Sequence, residues 1–164
     1  MAADIRAGRY RSNWGVFLVT VAMCAMAAGK LADGGVPGHV PPALQARARV
    51  LAKECYSTAV AAVQRESDAE LPADVLPWLK ARSILGCTCM HAGRRTAALG
   101  HYGAYSILSA QAGFHDEANW PSGLTEIQRQ ERRRLVRQAL GAGEADSSSG
   151  TRTRPTTTPP RRLA

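Results

Sequence analysis

Three short segments carry the residue types that do chemistry. Cys87-x-Cys89-x-His91 places two thiols and an imidazole close together, and these are ligand types of a zinc site. Tetrahedral zinc needs four converging donors, whereas a helix turns about 100° per residue. On a helix Cys87 and His91 share a face, and Cys89 lies about 200° around from Cys87. The cluster therefore reads as core thiols beside a helix-end histidine, with no metal and no cofactor. His115-Asp116-Glu117 offers acid and base groups, but no nucleophile is near in sequence, and such residues suit a solvated turn. The third segment holds Arg129, Arg132, Arg133, Arg134 and Arg137 against Glu131. As a helix it carries Arg129, Arg133 and Arg137 as one i, i+4 stripe, with Arg132 and Arg134 on its flanks. A solvated face is the usual meaning of such a stripe. Its alternative use is phosphate contact, and the group Arg132, Arg133 and Arg134 is the candidate contact surface. Phosphate loops, nucleophile elbows and metalloprotease motifs are absent from the sequence, so the chain is expected not to be an enzyme, with no catalytic residues to name.

The elements that must position these residues follow from composition and periodicity. A chain of 164 residues has room for one domain with a modest core. Its 45% apolar and 21% charged content excludes wholesale disorder. Aromatics at 5% and abundant alanine favour an all-α fold. Five helices are expected, near residues 13–31, 42–65, 73–92, 95–112 and 125–140, joined as antiparallel hairpins without a sheet. In the first, Trp14, Phe17, Leu18, Val21, Cys24 and Ala25 follow a 3/4 spacing behind a Ser12 or Asn13 cap. Asp33-Gly34-Gly35-Val36-Pro37-Gly38 breaks the chain, and Pro41-Pro42 opens the second helix. That helix places Leu44, Ala48, Leu51, Cys55, Ala59 and Ala62 on one face. The third starts near Asp74, carries Pro77 in its first turn and stops before Gly93. Ala98, Tyr102, Tyr105 and Leu108 or Ser109 mark the inner face of the fourth, which ends at Gly113. Thr125 with Gln128 forms a capping box for the fifth. Residues 141–164 are rich in Ser, Thr, Pro and Arg and are expected to form a disordered tail.

The net charge of +8 suits nucleic acid or an anionic membrane, but charge alone points to neither. Four scattered cysteines read as free buried thiols in a reducing compartment, not as a disulfide framework. Arg6, Arg9 and Arg11 precede an apolar run from Trp14 to Ala28, and Ala25-Met26-Ala27 has the form of a cleavage site. This is the outline of a secretory signal; a core helix reads the same way.

The segment from the third helix to the fifth carries a family likeness. Leu79-Lys80-Ala81-Arg82-Ser83-Ile84-Leu85-Gly86-Cys87 is followed by Gly93-Arg94-Arg95. Next come Ala98, Tyr102, Ala104, Ile107 and Ala110-Gln111-Ala112-Gly113-Phe114-His115. After Trp120-Pro121 stand Leu124-Thr125-Glu126 and Glu131-Arg132-Arg133-Arg134-Leu135. In order and spacing this resembles the fungal-specific transcription factor domain, the regulatory region of binuclear zinc-cluster regulators, over about residues 12–135. The resemblance implies a non-catalytic α-domain at residues 12–140, located in the nucleus and acting in transcription through contacts with other proteins. It also gives the apolar first helix a place in a core, without a membrane. Gly86, Gly93, Tyr102, Gly113 and Leu135 are the structural motif positions it implies. The family's six-cysteine zinc module is absent from this sequence, and Val136-Arg137 stands where an aromatic pair is usual. The chain therefore reads as a truncated member whose DNA binding is weak and non-specific. The other readings are a small secreted or membrane-anchored helical protein and a helical-repeat scaffold that binds proteins.

Overall fold

A computed structural model describes residues 13–35, 38–67 and 74–147, and all regular structure among them is helical. The helices are α1 (Trp14–Ala32), α2 (Pro42–Ser67), α3 (Leu76–His91), α4 (Arg95–Gln111) and α5 (Glu126–Ser147), with a 3-10 turn at Glu117–Asn119 before the last. The expected starts and stops are largely met, because local chemistry fixes them. The Asn13 side chain accepts from the Val16 N–H at 3.0 Å and caps α1. Asp74 Oδ1 accepts from the Leu76 N–H at 3.1 Å, so α3 begins three residues later than the expected 73. At the entry to α5, the Thr125 N–H donates to Gln128 Oε1 at 2.8 Å, and the Gln128 N–H donates back to Thr125 Oγ1 at 3.3 Å.

The α1–α2 hairpin is antiparallel. Arg49, near the start of α2, donates to the Ala32 carbonyl at the end of α1. Leu18, near the start of α1, shares a core with Ala59, Ala62 and Val63 from the far half of α2. Helices α3 and α4 form the second antiparallel hairpin, and α3 is the member of it that packs on the α1–α2 hairpin. One side of α3 gives Trp78, Ala81 and Leu85 to the α1–α2 core. Its other side gives Leu79, with Val75 just ahead of the helix, to a second core completed by Tyr105, Phe114 and Leu135. Leu18, Leu79 and Leu85 are fully buried, each contributing about 1.5–3 kcal/mol. Helix α1 runs parallel to α3. A Cβ at Gly15 would sit 2.7 Å from Pro77 Cγ, so this glycine lets the two helix starts meet.

The buried stripes differ from the expected ones. On α1 the inward residues are Leu18, Val19, Ala22, Ala25, Ala28 and Ala32, whereas Trp14 and Cys24 are exposed. On α2 the inward residues are Ala48, Ala59, Ala62 and Val63, whereas Leu44 and Leu51 are exposed. Small alanines make up most of the facing stripes of both helices, with Leu18 and Val63 packed among them. All four cysteines are free, but only Cys89 is buried. Helix α5 continues seven residues past Leu140 through Gly141 to Ser147, since glycine in a helix costs only about 1 kcal/mol relative to alanine. The rest of the expected tail, residues 148–164, lies outside the described residues, as does Ser12. Helix α1 is long and apolar enough to cross a membrane, at 19 residues with a mean hydropathy of 1.8, and about a third of it is buried against the rest of the fold.

Candidate functional site

The motif positions fall where α3, α4 and α5 are fastened together. Gly86 faces the Tyr102 ring, and a Cβ there would lie 2.6 Å from Tyr102 Cε1 and 2.8 Å from Cζ. The missing side chain of Gly86 is thus the seat of the Tyr102 ring, whose hydroxyl donates to Cys87 Sγ at 3.4 Å. Burial, followed by the contact with Cys87, pushes the Tyr102 phenol well above its ordinary range. Gly93 adopts φ 70° and turns the chain from α3 into α4, with the Arg94 N–H closing on the Cys89 carbonyl at 2.8 Å. Gly113 ends α4 at φ 56°, and its carbonyl accepts from Asn119 Nδ2 at 3.2 Å. Leu135 is buried, and its carbonyl accepts from the Tyr105 hydroxyl at 2.6 Å, tying α5 to α4.

The three adjacent arginines diverge. Arg132 points inward and is 7% exposed. Its guanidinium lies 5.3 Å from the Phe114 ring centroid and 3.9 Å from Asp74, and its Nε has no hydrogen-bond partner among the described residues. Arg133 holds Glu117 in a two-pronged ion pair, Nε to Oε1 at 2.7 Å and Nη2 to Oε2 at 2.9 Å, and also reaches Glu126 at 3.2 Å. That pairing pulls the Glu117 carboxyl below its ordinary range and raises Arg133. Arg134 alone of the three is exposed. Glu117 of the His115-Asp116-Glu117 turn thus belongs to this ion pair, and Asp116 caps the 3-10 turn by accepting from the Ala118 N–H at 2.9 Å.

Cys87, Cys89 and His91 part company. Cys87 meets Tyr102 of α4, Cys89 lies 3.1 Å from the Tyr56 hydroxyl of α2, and His91 is exposed at the end of α3. Among the described residues no group of three His, Cys, Asp or Glu side chains can hold a metal ion.

Sequence periodicity missed the polar core around His101. This histidine is 7% exposed, with Nε2 3.1 Å from the Tyr56 hydroxyl and Nδ1 3.5 Å from an Arg82 nitrogen. Arg82 can only donate, so Nδ1 accepts, the proton sits on Nε2, and the Tyr56 hydroxyl donates its hydrogen bond to Cys89 Sγ. Burial, reinforced by Arg82 and Arg94, pushes the imidazole down to about 4. Burial and the Cys89 contact push Tyr56 up to about 12. His101 and Tyr56 are therefore neutral beside the Arg82 guanidinium, and Cys89 at the end of this hydrogen-bond chain is closed to solvent. That arrangement orders a core. The signal present in the sequence was His101 at i+3 from Ala98 and i−4 from Tyr105, on the inner stripe of α4.

No family model, curated protein or solved structure matches the chain.

Proposed function

We propose that the chain is a non-catalytic regulatory α-domain of the fungal transcription factor kind, working in the nucleus through contacts with other proteins. The observation that carries this reading is the use of the motif positions. Gly86 seats Tyr102, Gly93 and Gly113 make the left-handed turns, and the Leu135 carbonyl receives Tyr105. Residues that would be unrelated in an arbitrary helical hairpin here fasten three successive helices. The outer face of α4 leaves Leu99 and Ile107 more than half exposed, which suits a protein partner. DNA contact is weak and without sequence preference, because Arg132 is turned inward and Arg133 is neutralised by two carboxylates. The test is to place the chain between a heterologous DNA-binding domain and an activation segment in a fungal cell. Reporter output at least fivefold below that of an unrelated helical bundle of equal length is expected; output within twofold of that control refutes the reading. A second reading, a secreted or membrane-anchored helical protein, is favoured by the apolar length of α1. Chain recovered from the medium and beginning after Ala27 supports it over the first.

A further inference from the structure

A cavity of about 380 Å³ opens where the end of α1, the first half of α2 and the end of α3 come together. Its volume lies within the range of small-molecule sites, roughly 300–1,000 Å³. Small residues create the space: Ala25 and Gly29 of α1 and Ala52 of α2 line it, and a Cβ on Gly29 would meet nothing within 4 Å. The hydroxyl of Tyr56 is turned to Cys89 and His101, so the wall it contributes is aromatic.

The rim is predominantly positive. Lys30, Lys53, Arg49 and Arg94 line the cavity against a single carboxylate, Asp33. Cations near helix C-termini ordinarily serve the last carbonyls, but here backbone groups already do so. The Asp33 and Gly35 N–H groups cap the carbonyls of Gly29 and Lys30, and the Ala92 and Arg94 N–H groups cap those of Thr88 and Cys89. Arg49 serves the Ala32 carbonyl. Lys30, Lys53 and Arg94 are left without an ion pair among the described residues. Arg94 is held at the mouth, its guanidinium 4.4 Å from the centroid of the Tyr56 ring.

We propose that this cavity binds a small organic anion, with an apolar body on the alanine and glycine floor and its charged oxygens toward Lys30, Lys53 and Arg94. The proposal stands apart from the regulatory reading, and either holds without the other. The probe is 1-anilinonaphthalene-8-sulfonate, paired with N-phenyl-1-naphthylamine, which has the same ring skeleton without the sulfonate. Titration of the full chain is expected to give one sulfonate probe per chain, bound at least tenfold more tightly than the neutral one and more weakly as salt rises. K53Q combined with R94Q should erase most of that preference while leaving the circular dichroism spectrum unchanged, since both side chains are exposed. G29L fills the cavity from a helical position with open space around its Cβ and should abolish binding of both probes. Absence of sulfonate binding, several probes per chain, equal affinity for the two probes, or binding that survives G29L overturns the proposal.

Discussion

Replacing Gly86 by alanine pits two opposite effects against each other at a single carbon. In a helix interior, alanine is favoured over glycine by about 1 kcal/mol. Against this, the new Cβ would lie 2.6–3.0 Å from three atoms of the Tyr102 ring, where carbon contacts rest at about 3.5–4.0 Å. The ring must retreat by about 1 Å, which lengthens the Tyr102–Cys87 contact and disturbs the seam between α3 and α4. Overpacking of this kind costs about 1–3 kcal/mol. Gly86→Ala is therefore expected to destabilise the protein by about 1 kcal/mol, lowering the urea midpoint by about 0.5 M. With Tyr102→Ala already present the obstacle is gone, and the same substitution should raise stability by about 1 kcal/mol. The sign reversal corresponds to a coupling of about 2 kcal/mol between the two positions, read from four urea titrations followed at 222 nm. Stabilisation by Gly86→Ala of equal size in both backgrounds would falsify the close approach of α3 to α4.

Three further outcomes are expected. Tyr105→Phe leaves the Leu135 carbonyl without its buried donor and should cost about 1–3 kcal/mol in thermal or urea unfolding. Gly113→Ala should cost more than Gly93→Ala: both have positive φ, but only Gly113 also has Asn119 Nδ2 within 2.5 Å of the added carbon, and the left-handed backbone alone costs about 1–2 kcal/mol. His101 stays neutral in the folded chain down to about 4, whereas in the unfolded chain it takes a proton near its ordinary value of about 6.5. The unfolded state thus binds more protons between these values, and stability should fall as pH drops through that window, by on the order of 3 kcal/mol. Urea midpoints measured across the window should show this slope, and His101→Gln should flatten it.

Helix positions were legible in the sequence because caps and breakers are local: Asn13, Asp74, Gly93, Gly113 and the Thr125–Gln128 box each fix an end with their own hydrogen bonds or φ. The inward faces were less legible. The face expected on α2 holds Leu44 and Leu51 together with Ala48, Ala59 and Ala62, and the fold buries the three alanines but leaves the two leucines exposed. That choice depends on the partner helix, and no residue of α2 announces it. Arg132 and His101 were hidden for a related reason. A polar residue on an inner stripe looks like an interruption until its partners are known, and Phe114, Tyr56 and Arg82 come from other elements. The cavity cations were invisible in the same way, being separated in sequence by α1, α2 and the α3–α4 turn.

Helix α5 is attached to the rest of the protein differently from the other four. Its main links are Leu135, packed in the second core with its carbonyl on the Tyr105 hydroxyl, Arg132 beneath Phe114 and 3.9 Å from Asp74, the Lys80–Glu131 ion pair at 2.9 Å and the Arg133–Glu117 pair. Only the first two are buried, and one of these encloses a guanidinium nitrogen with no hydrogen-bond partner among the described residues. Releasing α5 uncovers the second core but leaves the α1–α2–α3 core intact. Such a segment opens as a separate cooperative unit, at a free energy below that of global unfolding. Amide hydrogens around Leu135 should then exchange with solvent by sub-global opening, ahead of those around Leu18 and Leu85. Each opening also delivers Arg132 to water, so the positive charge presented by this end of the molecule is set by a local conformational equilibrium as well as by composition.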